Sequence, residues 1–188
     1  MTKLESLDPD TRCFALVGQF LQAWSGMELC LHDALAAGLR LTNLMQFILC
    51  ANLQLMAKIS VLRTVVDVSS LSTAERKKFS SQLVSLGQYA SARNMVAHTF
   101  FEPDRVETDP KKQGVTFGIV KAKGKFSLPT TTWSQAKFKE EMKKVDAYAN
   151  DLIRLRDKLC NASFDQSRVT RLITILYPMP NDIILQIG

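Results

Sequence analysis

This 188-residue chain has few of the residues from which metal and redox centres are usually built. It holds two histidines, His32 and His98, and four cysteines, Cys13, Cys30, Cys50 and Cys160. The cysteines are widely spaced in apolar surroundings, with no CxxC pair and no cluster of cysteines and histidines. No metal site and no cofactor is therefore expected. Free, buried thiols in a reducing cytoplasm are expected instead. Proline (six) and glycine (eight) are sparse and gather after position 100, which favours helices in the first half. No apolar run approaches the roughly 20 residues of a membrane span. Arg12, Glu28, Asp33 and Arg40 interrupt the most apolar stretch, so no membrane contact is expected. The first residues lack a basic stretch followed by an apolar one, so no signal peptide is expected.

What is present is an apolar fraction of 46% with 22% charged residues, the balance of one soluble globular domain over 1–188. Net charge is +6 and unevenly placed. Residues 1–110 carry ten lysines and arginines against eleven acids, whereas residues 111–188 carry fourteen against seven. A basic half joined to a near-neutral half fits either an anionic partner or charge that serves solubility alone.

Periodicity predicts four long helices. Asp8-Pro9 is a helix start, an acceptor cap followed by proline in the first turn. Phe14, Val17, Leu21, Trp24, Glu28, Leu31 and Leu35 follow at steps of three and four, to about Gly38. Glu28 is the one charge on that seam and needs a partner, for which Arg63 is a candidate. A second helix is expected from Thr42 or Asn43 to about Val68, antiparallel to the first, with its stripe at Leu44, Ile48, Ala51, Leu55, Ile59, Leu62 and Val66. Ser72 and Glu75 form a capping box that opens a third helix, lasting to about Phe100. A fourth, from about Ser134 to Asn161, carries Phe138, Met142, Val145, Ala149, Leu152, Leu155 and Leu159, with KFKEEMKK on a solvated face.

Between the third and fourth helices the period changes to two. Residues 103–113 read as a polar loop, and 115–120 and 125–128 as two strands joined through Lys123-Gly124. Residues 111–128 carry Lys111, Lys112, Lys121, Lys123 and Lys125 and no acid. Such a hairpin is suited to a nucleic-acid backbone or, with no ligand, to a soluble sheet edge. The expected architecture is all-α: a helical bundle with core 9–161, a hairpin insertion over 103–130 (strands near 114–128) and a tail over 162–188. In the tail, a short helix over 166–176 and an extended segment over 183–187 are expected.

The third helix holds the most informative residues. Arg93 falls on its apolar seam with Phe79, Leu83, Leu86, Ala90 and Ala97. Beside them runs a stripe of small or polar residues, Gly87, Ser91, Asn94 and His98, that lets another helix approach closely. On an ideal helix Asn94 and His98 share a face, while Arg93 and His98 diverge by roughly 140°, so Arg93 has to reach around. Arginine and histidine on a segment otherwise poor in charge fit either a helix end with one buried arginine bond or a phosphate-directed site.

The stretch Arg93-Asn94-Met95-Val96-Ala97-His98 resembles the signature of HEPN domains. That signature is an arginine, four to six intervening residues and a histidine, often with a polar residue directly after the arginine. The order Trp24, Glu28, Asp33, Arg63, the motif and then the lysine hairpin is similar to an uncharacterised bacterial branch of that family, over about residues 10–160. The resemblance implies an all-helical bundle. It also implies metal-independent RNA cleavage at a composite site that two copies of the chain build together, with Arg93, Asn94 and His98 as its catalytic residues. Glu28 and Arg63 are then supporting residues, and the five lysines are RNA contacts. Further implications are a cytoplasmic homodimer acting as a toxin or phage-defence effector, with a possible antitoxin or other protein partner. Some toxins of the family carry a tyrosine two residues after the histidine. This chain has Phe100 there, so neutralisation through that tyrosine is not expected. The alternative is a non-catalytic dimeric module that binds RNA or protein.

Overall fold

Asp8 accepts a hydrogen bond from the Thr11 amide (3.0 Å) and Pro9 occupies the first turn, so α1 (Pro9–Leu39) starts as its sequence dictates. The structure, a computed structural model, describes residues 4–119, 121–123 and 125–169, with the backbone alone described at 121–123, 125 and 126. It is mostly helical. α1 buries Leu16, Phe20, Trp24, Met27, Leu31 and Leu35. The expected seam member Phe14 is instead 66% exposed, its ring set edge-on to Phe101. The helix ends at Arg40, whose φ of 55° lies in the left-handed region. The Arg40 guanidinium holds that turn by donating to the carbonyls of Cys160 (2.9 Å) and Ala162 (2.5 Å).

The expected second helix is two helices, α2 (Asn43–Asn52) and α3 (Leu55–Val68), separated by extended backbone at Leu53 and Gln54. No proline or glycine marks the break. α2 folds back along α1, with the Gln46 amide donating to Asp33 (2.9 Å), and buries Cys50 alone. The chain then reverses, and α3 runs parallel to the last turns of α1: Lys58 lies against His32, and Val65 against Gly38. The expected antiparallel packing therefore holds for α2 and fails for α3. The stripe from Ile59 on is core, while Leu44, Met45, Phe47 and Ile48 are exposed.

The Ser72–Glu75 capping box forms as expected and opens α4 (Thr73–His98). Glu75 also reaches Lys158 (2.8 Å), and these bonds hold its carboxyl down at about 2. α4 runs antiparallel to α3, with Met56 seated on Gly87, so the small-residue stripe serves a helix of the same chain. α5 (Gln135–Cys160), capped by Ser134, runs alongside α1 in the same direction.

Between α4 and α5 the structure departs from a single hairpin. Residues 100–103, expected as helix end and loop, form strand β1 (Phe100–Pro103). It pairs with β2 (Val115–Gly118), which pairs in turn with β5 (Thr130–Trp133), giving an antiparallel sheet in the order β1-β2-β5. β3 (Lys121–Lys123) and β4 (Lys125–Ser127) make a separate two-stranded hairpin. The segment at 115–118 thus does not pair with 125–127. Each strand in the sheet is four residues, too short for its pairing to be read from alternation alone.

Packed aromatic rings fasten this sheet to the helices. Phe101 meets Phe117, which meets Trp133 and Phe138, while Phe20 joins Trp133 to Trp24. Trp24 continues to Tyr89 and Tyr148. A second anchor is Arg12, which is 3% exposed. It donates to Gln113 Oε1 (2.5 Å) and to the carbonyls of Leu4, Glu5 and Leu7. In the expected tail, residues 166–169 are helical; the rest of the helix expected over 166–176 and the segment over 183–187 lie outside the described residues.

Candidate active site

The joint between α4 and β1 positions the motif. Thr99 leaves the helix with its hydroxyl donating to the Met95 carbonyl (2.6 Å), and Phe101 is then drawn into the aromatic cluster. His98, the last residue of α4, is left exposed on the outer side of this joint. Arg93 does reach around: its Nη1 lies 2.8 Å from His98 Nε2 and 3.4 Å from Asn94 Oδ1. One guanidinium thus gathers all three motif side chains. Because a guanidinium only donates, His98 Nε2 is the acceptor in this contact.

Arg93 is half-buried and is not held against Glu28. Glu28 accepts from the Trp24 indole N–H (2.7 Å), and Arg63 lies 3.4 Å from the Ser80 hydroxyl, so the expected Glu28–Arg63 pair does not form. An indole one turn away on the same helix meets the needs of the carboxylate and leaves Arg63 on the surface.

The lysines divide into two groups. Phe100 of β1 pairs with Gly118 of β2, and Ile119 donates its amide to Pro129 (2.9 Å). The β3–β4 hairpin bearing Lys121, Lys123 and Lys125 therefore springs from the end of the sheet nearest His98. Lys111 and Lys112 lie beyond the opposite end, in an exposed turn organised by Asp109.

Two further clusters were not foreseen. Glu141, expected on a solvated face, is 4% exposed. It accepts from the Tyr89 hydroxyl (2.5 Å), Lys137 (2.7 Å) and Lys144 (2.9 Å). Burial pushes its carboxyl up, but those three donors outweigh burial and bring it to about 2. Burial likewise pushes the Tyr89 hydroxyl up, and its bond to Glu141 adds to the shift. The signal for Glu141 is its step of three from Phe138 and four from Val145, which places it on the apolar side of α5. His32 is half-buried and accepts from Lys58 (2.8 Å); burial, then the Lys58 charge, lower its pKa. Among the cysteines, Cys13 is buried and its thiol is raised to about 11, whereas Cys160 is exposed, against expectation.

Among the described residues no group of three or more histidines, cysteines or acids gathers as a metal would require, and no helix is long and apolar enough to cross a membrane. Comparison of the chain with protein-family models, with curated proteins and with solved structures finds no match.

Proposed function

We propose that this protein is a metal-independent endoribonuclease of the HEPN type, acting as a homodimer with its site at the α4–β1 joint. The observation that carries the reading is the 2.8 Å contact of Arg93 Nη1 with an exposed His98 Nε2, with Asn94 on the same guanidinium. RNA cleavage by internal transfer needs three things: a base for the ribose 2′-OH, an acid for the leaving 5′ oxygen, and a fixed cation for charge developing on the phosphoryl oxygens. An imidazole nitrogen released from its donor is such a base. A forked guanidinium is such a cation.

The 2′ oxygen attacks the adjacent phosphorus as His98 Nε2 takes its proton. The P–O5′ bond breaks, leaving a 2′,3′-cyclic phosphate, and a proton passes to the 5′ oxygen. As substrate arrives, Arg93 exchanges His98 for a phosphoryl oxygen, which frees Nε2 for the base step. A two-fold pair of chains supplies the second, protonated imidazole, from His98 of the partner subunit. The step calls on no metal or cofactor.

The contact of Arg93 with His98 also favours a second reading, a binding module whose motif is internally satisfied. Purified protein is incubated with RNA in EDTA. The nuclease reading expects cleavage by wild type and none by His98→Ala. Identical behaviour of the two removes it and leaves the binding module.

A further inference from the structure

After Glu75, no acid occurs on α4 or the joint until Glu102, a run of 26 residues that holds Arg76, Lys77, Lys78 and Arg93. One end of that run is the motif. The other end lines a groove of about 540 Å³ between α3 and α4. Its walls carry Arg63, Arg76, Lys77 and Arg168 against a single acid, Asp67. The four cations are not equally committed. Arg168 is paired with Asp67 (3.6 Å) and Asp165 (3.1 Å). Arg76 is spent on the Leu71 carbonyl and the Thr73 hydroxyl. Arg63 meets only the Ser80 hydroxyl, at 3.4 Å, and Lys77 has no partner among the described residues. Arg63 and Lys77 are exposed cations on one groove whose single acid, Asp67, is engaged by Arg168; they repel each other, and an anion between them relieves that repulsion.

Helix geometry ties the groove to the motif. Ser80, in the groove, and His98 are 18 residues apart, which is five whole turns, so they stand on one face about 27 Å from each other. Val84, Gln88 and Ser91, on that side of the helix between them, are exposed and uncharged. A strand laid along α4 meets cations at both ends and no carboxylate of α4 between them.

We infer that the α3–α4 groove is a phosphate-binding subsite that takes the phosphodiester backbone of the RNA whose scissile bond lies at His98, with Arg63 and Lys77 as its free cations. This rests on the nuclease reading of the motif, and it adds a docking element that the motif does not contain.

The test is titration of a fluorescent single-stranded RNA with full-length protein in EDTA at several salt concentrations, reading anisotropy. Three proteins are compared: wild type, Arg63→Ala/Lys77→Ala, and Lys139→Ala/Lys143→Ala, which removes the same charge from the exposed side of α5. Loss of two phosphate contacts lowers the slope of log affinity against log salt by about 1.4, or about 25-fold in affinity at 0.1 M salt. The groove variant is expected to show that loss while the α5 variant binds as wild type. Circular dichroism checks that both are folded, as their exposed positions lead one to expect. Equal affinity of groove variant and wild type overturns the subsite, and so does an equal loss in both variants. Groove-dependent binding without cleavage upholds the subsite and sinks the nuclease reading. Absence of RNA binding by wild type overturns both.

Discussion

Arg93 Nη1 stands 2.8 Å from His98 Nε2, although five residues of ideal helix turn the two positions about 140° apart. The contact exists because α4 ends at His98, where the ring is free to lean back along the helix. If this pair performs proton transfer and charge stabilisation, its removal affects rate far more than stability. His98→Ala is expected to lower RNA cleavage by about 10²–10⁴-fold. Arg93→Lys should fall well below wild type, because an ammonium lacks the fork that grips two phosphoryl oxygens. Melting temperature should move by no more than about 2 °C in His98→Ala, as for other exposed substitutions. A larger shift would place the histidine in the fold instead.

Glu141 gives a prediction about acid stability. Its carboxyl lies at about 2, below the ordinary 4.5, because the donors Lys137, Tyr89 and Lys144 outweigh burial. A depressed folded value means that the stabilisation is complete above about 4.5 and is lost as pH falls toward 2. Glu141→Gln keeps the shape and removes the charge. At pH 7 it should cost about 1–3 kcal/mol through weakened bonds to Tyr89 and the lysines. The gap in melting temperature between variant and wild type should then narrow steadily below pH 4.5. Glu75, also at about 2, is present in both proteins, so the difference between them reports Glu141. A gap that is constant with pH would refute the assignment.

What could be read from the sequence follows the range of the forces involved. The starts of α1, α4 and α5 were legible because Asp8-Pro9, Ser72 with Glu75, and Ser134 act within one turn. The burial of Trp24, Leu31, Leu62 and Leu155 was legible because 3.6-residue periodicity reports one packed face. The break at Leu53–Gln54 was not, since the stripe from Leu44 to Val66 stays in phase through it and only packing against α1 decides which half is buried. Strand pairing was hidden for the same reason: Phe100–Pro103 becomes a strand because β2 lies beside it. At the site, the motif residues were legible as a spacing, whereas the reach of Arg93 depends on where the helix stops.

Two glycines in close quarters separate backbone from side-chain crowding. A β-carbon on Gly114 would lie 1.9 Å from the Trp133 carbonyl oxygen and 2.7 Å from Ser134 Cα. Both obstacles are main chain, so β2 and β5 have to part. At Gly38 the nearest atom is a methyl of Val65, at 2.6 Å, which a rotamer change can withdraw. Gly114→Ala is expected to cost about 3 kcal/mol or more, and Gly38→Ala about 1–2 kcal/mol. Denaturant titration of both variants checks the order, and the reverse ranking would show that the 114–133 contact yields easily.

The position of the β3–β4 hairpin leads to the last prediction. Its root lies at the Phe100–Gly118 end of the sheet, two residues from His98, while Lys111 and Lys112 lie past the Pro103–Val115 end. The sheet strand between is four residues, so about 10 Å separates the two ends. Lysines act on a phosphate backbone only within contact range, because charges further off are screened at physiological salt. Replacing Lys121, Lys123 and Lys125 with alanine should therefore lower RNA affinity and reduce the salt slope by about 2. Replacing Lys111 and Lys112 should leave both nearly unchanged, even though it too lowers the net charge. The measurement is the same anisotropy titration at several salt concentrations. If the two sets lose affinity in proportion to charge removed, RNA is attracted by the basic half as a whole, and the end of the sheet beside His98 has no special part in holding it.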